Sequence, residues 1–194
     1  MLETPSILRY AGLMNQRDNP LGAGNQQERP ILSPEFLAGL IVGEGSYFIG
    51  IRRHKKPHGY YVSIYPGFCL RMNDVETIGL MEVSFEAYGL DVYRNPAVYH
   101  RCVALHVVGL RQMRTHLDFF LPLLTGKKRQ AAEIVSEFVD RRRERPKAPY
   151  TDEEIDLIER VREVNGPSRR RLPIGILRDY TPGVAPEEAG AVKI

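Results

Sequence analysis

The sequence predicts an α+β domain in which helices cover one face of an antiparallel sheet. Three observations predict it. Segments of helical periodicity alternate with extended segments rich in β-branched and aromatic residues. The extended segments come in two pairs, each after a helix, giving the order α-β-β-α-β-β-α with further helices behind it. No stretch is repeated, so the chain holds one such unit.

The 194 residues and a hydrophobic fraction of 43% suffice for one domain with a real core. A formal charge of +3 is mildly basic, and its clustering matters more than its total. Cys69 and Cys102 lie in apolar runs and read as buried free thiols of a reducing compartment. No apolar run approaches the roughly 20 residues of a membrane helix, and the N-terminus lacks the apolar stretch of a secretory signal. The expectation is a soluble protein inside the cell, in the cytoplasm or nucleoid or in an organelle matrix, with no membrane partner.

Residues 1–30 are dominated by turn formers and amides and predict a loosely ordered N-terminal extension. The domain is expected over 31–166, and a basic, proline-containing C-terminal tail over 167–194. Within the domain, Ser46 to His54 reads as a strand, followed by a basic loop through Gly59. Tyr60 to Met72 is a second strand, and Pro66-Gly67 predicts a bend or bulge in it. Asn73 or Asp74 caps a helix from Val75 to about Tyr88, stopped by Gly89. Leu90 to Tyr99 and His100 to Val108 are two more strands. Leu110 to about Leu124 is helical until Pro122 breaks it; a long helix then runs from Lys127 to about Arg143. Thr151-Asp152-Glu153-Glu154 opens a last helix, to Val164.

The first helix organises the rest. Ser33 can cap it, and Pro34 fits its first position. Phe36, Leu37, Leu40 and Ile41 recur at helical spacing. Gly39 and Gly43 stand four apart on one side, and each weakens the helix by roughly 1 kcal/mol against alanine. That loss makes sense where another backbone approaches closely. The helix ends on Glu44, an anion at the negative pole of the helix dipole that a nearby cation would relieve. Gly45 follows and can take a left-handed turn.

Residues 37–45, Leu-Ala-Gly-Leu-Ile-Val-Gly-Glu-Gly, resemble the LAGLIDADG motif of the homing endonuclease family. Leu37 to Ile41 and Gly45 match its letters; Glu44 stands for the second Asp, Val42 for the first, and Gly43 for Ala. The order of elements from Ser33 to Gly166 agrees with that family's fold, a saddle-shaped antiparallel sheet with helices on one face. The resemblance implies a site-specific homing endonuclease that cuts both strands of a long, pseudo-palindromic duplex DNA by metal-dependent hydrolysis, without a small-molecule substrate. It implies an intron-encoded protein; an intron-splicing maturase or a non-cleaving DNA-binding regulator on the same fold is the alternative.

The resemblance makes Glu44 the catalytic metal ligand, with Gly43 beside it, and Mg²⁺ the expected cofactor, with Mn²⁺ or Ca²⁺ able to substitute in binding. Hard ions of this kind want oxygen ligands, and one carboxylate is thin for phosphodiester hydrolysis. One motif per chain therefore implies a homodimer, through Leu37, Gly39, Leu40 and Gly43. A lysine before the long helix has a catalytic role in the family; Lys127 fits best and Lys128 nearly as well. A polar residue near the end of the second strand helps hold the attacking water, and Arg71, Met72 or Asn73 occupies that position. Base readout falls to the sheet, through Arg52, His54, Ser63, Tyr65, Arg71, Arg94 and Arg101. Lys128, Arg169 and Arg170 are expected against DNA as well. Lys55, Lys56, Arg141, Arg142, Arg143 and Arg171 read as phosphate contacts.

Overall fold

The structure, a computed structural model, describes residues 30–56, 59–96, 102–146, 148–166 and 174. Its elements run α1 (Pro34–Glu44), β1 (Gly45–Lys56), β2 (Gly59–Met72), α2 (Val75–Ala87), β3 (Tyr93–Pro96), β4 (Val103–Val108), α3 (Leu110–Phe120), α4 (Gly126–Glu144) and α5 (Asp152–Val164). A short 3-10 turn over Leu121–Leu123 holds Pro122 and separates α3 from α4. The α+β class and the expected element order are present. The N-terminal extension lies outside the described residues except for Pro30, and the C-terminal tail except for Ile174, which packs against the core.

Local chemistry fixes the helix starts. Ser33 Oγ accepts the Phe36 N–H at 3.2 Å ahead of α1. Asp74, not Asn73, caps α2, accepting the N–H groups of Glu76 and Thr77. Thr151 and Glu154 form a reciprocal capping box on α5. Gly89 and Gly166, with φ of +70° and +75°, take the left-handed conformation that ends α2 and α5.

The sheet is antiparallel throughout, in the order β1-β2-β4-β3. Alternation sends Tyr47, Ile49, Val62, Phe68, Leu70, Leu105 and Val107 into the core beneath the helices. Pro66-Gly67 makes no bulge in β2: Ile49 pairs with Pro66 and Phe48 with Gly67 in unbroken register. The β4 ladder begins at Gly67, so the N–H that Pro66 lacks takes nothing from it. The third strand begins at Tyr93, later than expected, and Leu90 ahead of it is buried against the core. Residues 97–101 lie outside the described residues.

Arg142 corrects an expectation. It is buried rather than turned toward phosphate, paired at 3.4 Å with the buried Glu154 and donating to the carbonyls of Pro146 and Ala148. Its guanidinium also lies 4.5 Å from the centre of the Tyr150 ring. The group fixes the connection from α4 to α5. Arg141 is likewise engaged, with Glu137 at 2.9 Å. No helix among the described residues is long and apolar enough to cross a membrane.

His116 of α3 is enclosed by the rings of Phe68, Phe85, Phe120 and Tyr47. The Tyr47 hydroxyl meets its Nε2 at 3.1 Å, and its Nδ1 has no partner. Burial drives its pKa from 6.5 down to about 3 and raises that of Tyr47. The folded imidazole stays neutral while the unfolded one protonates below 6.5. Its contribution to stability is therefore whole above pH 6.5 and is lost as pH falls toward 3, by about 1.4 kcal/mol per pH unit. Urea unfolding from pH 7 to pH 4 is expected to show that slope, and His116→Gln to flatten it. Equal slopes in the two proteins would exclude His116 as its source.

Candidate functional site

Helix α1 buries Leu37, Ala38 and Ile41 and turns its other side to solvent. Leu37 is fully buried in the chain's own core, which corrects its expected place on an outer contact face. The outward side carries Phe36, 55% exposed, with exposed Gly39 and Gly43 and half-buried Leu40. A Cβ at Gly39 or Gly43 would meet nothing within 4 Å. Nothing inside the described chain therefore requires glycine at either position.

Glu44 is exposed at the end of α1, whose last turn holds no basic residue. The chain passes directly into β1. Gly45 is extended, with φ −77° and ψ 161°, rather than left-handed. Its need for glycine is steric: a Cβ there would stand 2.7 Å from the Ile41 carbonyl oxygen and 2.9 Å from the Phe68 ring. The Lys128 ammonium, from the first turn of α4, donates to the Gly45 carbonyl. Lys128 is half-buried, while its neighbour Lys127 is exposed. Motif spacing leaves these two lysines nearly equivalent; the main-chain carbonyl distinguishes them.

Among the described residues, the sheet face away from the helices is open. Register places Ser46, Phe48, Gly50, Arg52 and His54 of β1 there, with Ser63, Tyr65, Gly67, Cys69 and Arg71 of β2. Ala104, His106 and Val108 of β4 and Tyr93 and Asn95 of β3 complete it. The unbroken register across Pro66-Gly67 fixes the phase that the sequence leaves open. Arg52, His54, Ser63, Tyr65 and Arg71 thus share one face, as expected. His54 Nε2 and Ser63 Oγ are 2.7 Å apart, and the Arg52 guanidinium lies 5.3 Å from the Tyr65 ring centre. Arg94 does not belong to the face. It pairs with Leu105, points to the helix side and meets Glu82 of α2 at 3.4 Å. Arg101, Arg169 and Arg170 lie outside the described residues.

Arg71 follows Leu70, the partner of Gly45, and so stands at the Glu44 end of the sheet. Met72 packs against the core and Asn73 is exposed just before α2, so of these three Arg71 alone projects from the open face. Beside it, Cys69 and His106 form a cross-strand pair at 3.8 Å, and Tyr93 stacks on His106 with centroids 5.1 Å apart. Burial, with the Arg71 charge behind it, lowers the His106 pKa; burial raises that of Cys69, against an opposing pull from Arg71. The His106–Tyr93 stack is absent from the sequence expectation, because it joins segments whose register only the folded sheet defines.

None of the four strands contains an aspartate or glutamate, although the chain has 24 of them. The strands instead carry Arg52, Arg53, Lys55, Lys56, Arg71 and Arg94. Glu44 is the acid immediately at the sheet's edge. Hard oxygen donors suit a magnesium-like ion, but one chain is short of a full set. Among the described residues no group of three or more His, Cys, Asp or Glu is placed to hold a metal.

No protein-family model and no curated protein matches the chain. Solved structures do. The homing endonuclease I-CvuI, in complex with its target in the presence of 2 mM Ca, superposes with a TM-score of 0.60 at 17% identity, over 82% of this chain and 96% of its own. The archaeal intron-encoded homing endonuclease I-Vdi141I, complexed with DNA, gives 0.56 at 15% identity, over 74% of this chain and 91% of its own. The LAGLIDADG homing endonuclease I-GzeII, in complex with a DNA target, gives 0.53 at 14% identity, over 77% of this chain but 49% of its own. This chain has the fold of the LAGLIDADG homing endonucleases.

Proposed function

We infer that the chain is a site-specific, metal-dependent DNA endonuclease acting as a homodimer. The observation that carries this reading is an open sheet face free of carboxylates, bordered by the exposed carboxylate of Glu44. A basic antiparallel ribbon matches the major groove, where alternate side chains reach base edges while outlying cations position the phosphates. The DNA complexes of I-CvuI, I-Vdi141I and I-GzeII support the same partner. Intron encoding is part of the proposal, on the likeness to I-Vdi141I; the exon junction flanking the gene is then the expected target.

Stoichiometry supports the dimer. The chain spans nearly all of I-CvuI but half of I-GzeII, so one chain corresponds to one unit of the larger architecture. A two-fold contact through Phe36, Gly39, Leu40 and Gly43 covers the exposed side of α1 and brings two Glu44 carboxylates together. Leu37 supports that contact from inside. Each Glu44, with the carbonyl of Gly43, is assigned as an oxygen ligand for Mg²⁺, or for Mn²⁺ or Ca²⁺ in binding; DNA phosphate and water complete the set. Such an ion, when bound, supplies charge to the phosphate oxygens and to the leaving oxygen. Lys128 is a positioning residue that ties α4 to the chain at Gly45, and Lys127 faces the phosphate. Arg71 is the candidate for holding the attacking water.

Three outcomes are expected. Glu44→Gln abolishes Mg²⁺-dependent cutting of a duplex carrying the exon junction but keeps salt-sensitive binding to it; cutting by this variant would remove the assignment. Gly39→Leu, whose Cβ meets nothing within 4 Å among the described residues, converts the dimer to a folded monomer in sedimentation; a dimer that survives would place the interface elsewhere. Lys128→Met lowers stability by about 1.5–3 kcal/mol, the range for a charged hydrogen bond. Lys127→Met leaves melting within about 0.5 kcal/mol and slows cleavage roughly 10²-fold. The reverse pattern would exchange the two lysines.

A further inference from the structure

The open face is banded. At the Glu44 end stand Arg71, Cys69, His106 and Tyr93, and at the far end Arg52, Ser63 and His54. Between them lies an apolar band built by two crossed pairs. Phe48 faces Gly67 across the ladder, and Tyr65 faces Gly50. Each ring lies over the glycine opposite: a Cβ on Gly67 would stand 2.5 Å from Phe48 Cζ, and one on Gly50 would stand 2.5 Å from Tyr65 Cζ. The two rings meet edge to face, with centroids 6.0 Å apart. Val108, opposite Gly67 on its other side, is 37% exposed.

Rings laid over cross-strand glycines also stabilise sheets that bind nothing. Two further observations separate this band from such packing. No helix among the described residues covers it, and Val108 beside it presents apolar surface to solvent. It is also framed by Arg52 and Arg71 on a sheet with no carboxylate, so the surface around it suits a polyanion. The glycines keep the band shallow, because the rings lie down instead of standing out. Tyr65 buttresses Phe48 and carries the Arg52 guanidinium on its ring, which leaves Phe48 and Val108 as the apolar floor.

On the major-groove edge of a base pair the one apolar feature is the thymine 5-methyl group. We propose that Phe48 and Val108, held by the Gly67 and Gly50 pairs, read thymine methyl groups at a fixed distance from the cut. The proposal rests on the DNA-binding reading above and adds a specificity to it. A strand rises about 3.4 Å per residue, close to the DNA rise of about 3.4 Å per base pair. Phe48 is four residues beyond Glu44, so the thymines fall about four base pairs outward from the phosphate at Glu44.

The test uses the full-length protein and the duplex it enriches from a randomised pool. Every thymine in the window about three to five base pairs from the cut is replaced by deoxyuridine, which deletes the methyl group alone. Wild type is expected to bind the substituted duplex about fourfold more weakly per methyl lost, the effect of unburying one such group. Val108→Thr, which keeps the shape, and Phe48→Ser are expected to lose that discrimination, and Phe48→Leu to keep it; thermal melting verifies that each variant is folded. Equal binding of both duplexes by wild type, full discrimination by Val108→Thr, or an enriched site without thymine in the window would overturn the proposal and leave DNA binding standing. Enrichment of no duplex at all would overturn both.

Discussion

The close approach at Gly45 is the constraint on which the rest of the arrangement depends. Its missing Cβ lets the Ile41 carbonyl and the Phe68 ring close in together. Its N–H returns to Ile41 and its carbonyl receives Lys128, so one residue joins the end of α1 to β1, β2 and α4. A side chain there would push the helix off the sheet, and Glu44 would move with it. The carboxylate sits on a short, exposed helix end, yet its base is held from both sides.

A second constraint is the division of the sheet into two faces. One is filled by the core, where Phe68 and Tyr47 surround a neutral His116 under α3. That packing leaves the opposite face without a covering layer among the described residues, and the sequence excludes acids from the strands that form it. The acids are instead spent in pairs on the helical side, as in Glu82 with Arg94, Glu137 with Arg141, and Glu154 with Arg142. The open face thus keeps Arg52 and Arg71 with no acid in the strands around them, and a modest net charge conceals this local basic character.

Much of this was legible in the sequence, and the misses share a cause. Period-two alternation put Arg52 with His54, and Ser63 with Tyr65, because side chains within a strand must alternate; that these and Arg71 share one face needed the unbroken register across Pro66-Gly67. Alternation could not place Arg94, whose face depends on where β3 pairs with β4, a register that no local pattern encodes. Pro66-Gly67 read as a break because both residues weaken strands. It is not one: a proline outside the β4 ladder deprives it of no hydrogen bond, and Gly67 is the floor on which Phe48 lies. Leu37 matched an outer face by motif, but α1 packs with that side toward the core.

The sequence by itself determined the α+β order, the cap at Ser33, the two glycines and the acid that ends the helix, since these follow from local propensity and spacing. Only the tertiary structure decided that Gly45 serves a steric contact rather than a turn, that Lys128 rather than Lys127 holds the junction, and that an apolar band crosses the open face. Those three depend on atoms brought together from distant parts of the chain. Periodicity reports which way a side chain faces along its own element, and it carries nothing about what another element places opposite it.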